Sequence, residues 1–178
     1  MKRIRGKKYL KLTLLILLLF ALSACTPNPK FELYKGNPLS IAVIGESPEV
    51  NEEQVKFTKV LFDEMTNENL KFYDAVFISE DNLFEAAESK YANIYLNSSI
   101  PLFFMGTESF IPFTVENMEY GNDWNWRPGS SYAVGIVISP VDDSMSSWGF
   151  GLYNDEKTDE NIKNIYSRIF EIIEGLNH

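Results

Sequence analysis

Three short apolar runs punctuate the middle of the chain: Ile41-Ala42-Val43-Ile44, Ala75-Val76-Phe77-Ile78 and Leu102-Phe103-Phe104-Met105. None alternates apolar with polar residues, so each reads as a strand buried on both faces. The stretches between them carry helical spacing. Asn51 is placed to cap a helix, with Gln54 three residues on to return the bond and Glu52 and Glu53 in the first turn. Phe57, Val60, Leu61 and Met65 would form its apolar face. Ser79 or Asp81 is placed to cap a second helix, with Phe84, Ala87, Tyr91, Ile94 and Tyr95 facing inward. Strands alternating with amphipathic helices predict an α/β fold with a parallel sheet covered on both faces.

The period is lost after Gly106, and residues 107–131 form an irregular segment rich in aromatics and prolines. Residues 133–138 resume as a strand and residues 148–153 read as another. The nine residues 139–147 between them are too few for a crossover helix, so this pair is expected to be antiparallel. Ile162, Ile165, Tyr166, Ile169, Ile172, Ile173 and Leu176 then recur at helical spacing behind Thr158, a cap for a closing helix. The whole pattern predicts a single α/β domain over residues 40–178. Its expected form is a three-layer, flavodoxin-like or Rossmann-like sandwich with a mixed, mostly parallel sheet of about five strands.

The start of the chain follows a different logic. Lys2, Arg3, Arg5, Lys7, Lys8 and Lys11 precede an uncharged apolar run over residues 12–24. Its thirteen residues fall short of the roughly 20 that cross a bilayer as a helix, and the layout is that of a signal peptide over residues 1–24. The run ends in Leu22-Ser23-Ala24-Cys25, which resembles the lipobox of bacterial lipoproteins. The resemblance implies cleavage before Cys25, diacylglycerol attachment and acylation of that residue, and an extracytoplasmic lipid anchor on the cell membrane. Two or more acyl chains, at about 0.8 kcal/mol per buried methylene, hold a protein firmly where one does not. Residues 26–39, with Pro27, Pro29, Gly36 and Pro38, read as a tether reaching at most about 45 Å.

Charge and composition narrow the partners. The net charge is −9, but six of the sixteen Lys and Arg, and no Asp or Glu, lie in residues 1–24. Residues 25–178 therefore carry 10 basic against 25 acidic side chains, a net of −15. Such a surface is repelled by nucleic acid and anionic headgroups, so nucleic acid is excluded as a partner. With 45% hydrophobic and 14% aromatic residues the chain has the material for a core. The partners expected are membrane lipid, through the acylated Cys25, and an envelope protein or cell-wall ligand. The role that follows is a binding or accessory module of the cell envelope, with a carboxylate-dependent envelope hydrolase as the alternative.

Candidate chemistry is sparse. Cys25 is the only cysteine and His178 the only histidine, so neither a disulfide, a His-based triad nor a zinc site is supported. No phosphate-binding or nucleophile-elbow motif occurs, and no cofactor or metal is called for. What remains is positional. Ligands in open α/β sheets gather beyond the carboxyl ends of the strands. Three such ends carry acids: Glu46 with Ser47, Ser79 with Glu80 and Asp81, and Thr107 with Glu108. Convergent carboxylates there would hold a cation or act as acid and base; the plainer account is that they cap helices or face solvent. In the irregular segment Tyr120, Trp124 and Trp126 offer flat faces for a sugar or peptide, with Arg127 to orient an anion. The plainer account of those rings is a small core folded over the sheet edge.

Overall fold

The computed structural model describes residues 30–176. The signal-like opening, Cys25 and His178 lie outside the described residues. Among those described, no helix is long and apolar enough to cross a membrane.

The apolar runs become central strands. β1 (Leu39–Ile44), β3 (Ala75–Ile78), β4 (Leu102–Met105) and β5 (Ala133–Ile138) join two edge strands, β2 (Val55–Lys59) and β6 (Met145–Phe150). The order is β2-β1-β3-β4-β5-β6. β1 pairs in parallel with β2 and β3, and β3 with β4; β5 is antiparallel to both β4 and β6. Among the described residues there are five α-helices, besides short 3-10 turns: α1 (Asn67–Leu70), α2 (Leu83–Ala86), α3 (Ser89–Leu96), α4 (Ile111–Thr114) and α5 (Asp159–Leu176). The architecture is mixed α/β with six strands rather than about five.

The extra strand replaces the helix expected behind Asn51. Val-Lys-Phe-Thr-Lys over residues 55–59 alternates apolar with polar, the two-residue period of an edge strand. Val55 and Phe57 turn to the core while Lys56 and Thr58 turn away from it. Pairing with β1 satisfies backbone groups that an isolated helix would have satisfied internally, and this tertiary gain overrides the local capping pattern. The ten residues 45–54 therefore cross from β1 to β2 without a helix.

α5 covers one face of the sheet. Ile165, Ile169, Phe170 and Ile173 are fully buried against Ile41, Val43, Phe77 and Phe103. The rings of Phe77 and Phe170 stack at 6.1 Å and 9°. Thr158 caps this helix, its Oγ1 accepting from the Asn161 amide at 3.2 Å. The short helices α1 to α4 cover the other face, where Phe104 and Phe113 stack at 4.0 Å and 4°. Successive strand residues thus enter opposite cores, which is why the runs are apolar throughout; each such side chain contributes about 1.5–3 kcal/mol of burial.

Two further boundaries differ from expectation. The helix expected after Ser79 is broken at Glu88, whose backbone is extended, so Leu83 and Ala86 are buried and Phe84 is 59% exposed. The Tyr95 hydroxyl closes the break by donating to the Ala86 carbonyl at 2.9 Å. The final strand begins at Met145, three residues before Trp148, and ends before Tyr153, although its antiparallel pairing is as expected.

The segment preceding β1 docks on the domain from Tyr34 onward. Tyr34 is buried against Phe170 at 5.8 Å, and its backbone is held by Glu52 and Gln54. The chain thus enters at the amino edge of the sheet, where the Asn37 amide also donates to Glu174 near the end of α5 at 2.8 Å.

Candidate binding cleft

β1, β2, β3 and β4 run in parallel, so their carboxyl ends lie along one edge of the sheet. The segment leaving β1 crosses the α5 face, with Pro48 and Glu49 beside Ile162 and Tyr166, whereas the helices following β3 lie on the opposite face. Between β1 and β3 the connections therefore part to opposite faces, which leaves a crevice where ligands collect in such sheets. A cleft of about 620 Å³ opens there, across the ends of β1, β2 and β3. This volume falls within the usual range of small-ligand sites.

Its floor is set by backbone geometry. Gly45, at the end of β1, has φ of +104°, and a Cβ there would collide with Ser79 Oγ. The Ser79 hydroxyl donates to Asn82 Oδ1 at 2.8 Å, holding the turn that follows β3. Phe62 and Tyr91 stack at 4.8 Å and 29° along one wall, and Leu61 stands 57% exposed at the mouth.

Among the sequence-derived candidates, Glu46 lines this cleft, as do Ser79 and Asp81; Ser47 is exposed beside it. Glu80 and Glu108 turn elsewhere. Glu80 accepts from Lys157 Nζ at 2.7 and 3.0 Å, and Glu108 pairs with Arg127 at 2.8 Å. The three glutamates are not brought together, and among the described residues no group of three or more His, Cys, Asp or Glu is arranged to hold a metal. Glu80 packs against Gly106, whose φ of +82° and missing side chain make room for it. Above it, Lys157 lies 5.4 Å from the Tyr132 ring. Burial of Tyr132, reinforced by the Glu80 charge, pushes its phenol up to about 12.

The aromatic segment folds into the two cores. Tyr120 is buried, with its hydroxyl donating to Asn125 Oδ1 at 2.8 Å and its ring edge-on to Phe84. Trp124 packs on the core beneath α2 to α4, and Trp126 on the core beneath α5, 6.1 Å from Tyr132. Thr107 Oγ1 donates to the Trp124 carbonyl at 2.8 Å, and the Trp126 amide donates to Gly106 at 2.8 Å. These bonds pin the segment across the end of β4. The indole Nε1 of Trp126 is buried with no hydrogen-bond partner among the described residues.

Lys59, Asp63, Glu85 and the Phe62–Tyr91 pair also belong to the cleft, and sequence reasoning did not select them. The alternation over residues 55–59 held the missing signal, because it makes Lys59 another strand-end residue.

No known family's sequence model, no curated protein sequence and no solved structure matches this chain. The cleft is therefore read from its own chemistry. Lys90 is tied to Glu88 at 2.7 Å and lies 4.7 Å over the Tyr91 ring, outside the group of free charges. Glu46, Asp63 and Asp81 make no ion pair among the described residues, and neither does Lys59.

Proposed function

We propose that this chain is a lipid-anchored, extracytoplasmic lipoprotein whose domain is a small-ligand binding module of the cell envelope. The cleft at the parting of the β1 and β3 connections carries this reading, because that position, its volume and the unpaired acids Glu46, Asp63 and Asp81 in its lining suit a ligand. The lipobox-like Leu22-Ser23-Ala24-Cys25 supports the anchor. The order β2-β1-β3-β4-β5, with helices on both faces, supports flavodoxin-like layering; an antiparallel β5 and a helix-free first crossover are its departures. With Glu46, Glu80 and Glu108 apart, no observation favours the hydrolase alternative.

Two measurements test the reading. The full chain expressed in bacteria should incorporate an alkyne-tagged palmitate and fractionate with membranes, and Cys25→Ser should abolish both. Retention of the label by the Cys25→Ser variant would overturn the anchor. For the module, ligand-induced amide shifts are expected at Ile44, Gly45 and Asn82; shifts confined to other surfaces would place binding elsewhere.

A further inference from the structure

The two ends of the strand edge treat their charges differently. Just past the ends of β3 and β4, Glu80 is matched by Lys157 and Glu108 by Arg127. In the cleft Glu46, Asp63 and Asp81 are unmatched, and Glu85 receives only the Tyr91 hydroxyl, at 3.5 Å. Two lysines line it, Lys59 with no ion pair among the described residues and Lys90 held by Glu88 at 2.7 Å, so the acids remain in excess. Excess carboxylate around a concave, partly apolar space favours a cation over an anion, and low-dielectric walls focus that preference. The apolar lining gives the same ligand a second requirement. Ile44 and Val60 line the cleft with the stacked Phe62 and Tyr91, and Leu61 projects at the mouth.

Resting on the binding-module reading, we infer that the cleft takes an organic amine: a protonated nitrogen facing Glu46, Asp63 and Asp81, carried on an apolar body lying along Leu61 and Tyr91. The cavity is what makes the site, and the acids decide the sign of charge it accepts. A hydrated metal ion would leave the apolar wall unused. An acidic or phosphorylated ligand would meet four carboxylates, Glu46, Asp63, Asp81 and Glu85, with two lysines to offset them, one of which, Lys90, is already held by Glu88.

The test uses the full chain, isotope-labelled and purified in detergent micelles, titrated with three probes of one shape: phenethylamine, 2-phenylethanol and 3-phenylpropionate. Phenethylamine should shift the amides of Ile44, Gly45 and Asn82, and bind about fivefold or more tightly than the alcohol or the acid, the scale of one well-placed ion pair. Added salt should reduce the preference. Glu46→Gln combined with Asp81→Asn should remove it, whereas Asp142→Asn, in the exposed turn before β6, should leave it intact. Amide positions across α5 report whether each variant keeps its fold.

If the alcohol or the acid binds at the same amides as well as the amine, the amine assignment is overturned and the binding module stands. If the double variant keeps the full preference, the carboxylates do not set it and the assignment also falls. If none of the probes shifts the cleft amides, both the assignment and the cleft as a small-ligand site are overturned.

Discussion

The hydroxyl of Ser167 on α5 donates to the carboxylate of Glu52, 115 residues earlier in the chain and 5% exposed. The same carboxylate accepts from the amides of Tyr34 at 3.3 Å and Asn51 at 3.1 Å. One side chain thus ties the entering segment, the first crossover and the closing helix together. Glu52→Ala would leave these donors without their acceptor, and we expect a loss of about 2–4 kcal/mol, since each unsatisfied buried polar group costs about 1–3 kcal/mol. Ser167→Ala removes one donor and should cost about 1 kcal/mol. Urea unfolding of the full chain checks both; equal, small effects would show that the three segments are held by apolar packing alone.

Gly135 on β5 sits opposite Phe103, and a Cβ at that position would collide with the Phe103 ring. Phe103 is fully buried and has little room to retreat. Gly135→Ala should therefore cost about 1–3 kcal/mol as overpacking. A smaller neighbour should relieve the strain, so Phe103→Leu combined with Gly135→Ala should be less destabilising than the sum of the two. Additive losses in thermal unfolding would show that the contact is not the cause.

Tyr132 sets an alkaline limit. Its phenol is raised from 10.0 to about 12 in the folded state, chiefly by burial and then by Glu80. The unfolded chain therefore loses this proton first, and stability is full below pH 10 and falls as pH rises from 10 to 12. A shift of this size corresponds to a fall of about 3 kcal/mol. Tyr34 is raised to about 12 as well, by burial and then by Glu174, so it adds to the decline in the same window. Denaturant midpoints measured from pH 9 to 12 should drop less steeply in Tyr132→Phe than in the wild type.

Lys157 and Glu80 form a close pair, yet each side chain is about 40% exposed, at 40% and 42%. Solvent screens such a pair, so Lys157→Ala should change stability by less than about 1 kcal/mol. By contrast Trp124→Ala opens a gap under the segment folded over β4 and should cost about 2 kcal/mol or more. Parallel thermal melts distinguish the two; a larger loss for Lys157→Ala would mean that the pair organises the turn after β3.

The elements legible in the sequence are those whose pattern has one reading. Residues 41–44, 75–78 and 102–105 are apolar on both faces because α5 and α1 to α4 sandwich them, and the α5 stripe is long enough to fix its phase. Residues 51–59 have two readings. Asn51 and Gln54 spell a capping box locally, while the alternation at residues 55–59 spells a strand only once β1 is beside it. That ambiguity hid part of the cleft. Glu46 was visible because it follows a plain strand, whereas Lys59 and Asp63 sat on what looked like a helix face. Glu80 and Glu108 stand at strand ends as expected, but they turn to Lys157 and Arg127, distant in sequence, and not to the cleft.

The place where the chain enters the domain bears on access to the cleft. Residues 32–38 dock at the amino edge beside the last turn of α5, and the cleft opens at the carboxyl edge, one strand length of about 20 Å away. The point of entry and the cleft therefore lie at opposite edges of the sheet. The docked Tyr34 fixes that point of entry, its backbone held by Glu52 and Gln54. A ligand reaching the cleft therefore need not displace the entering segment.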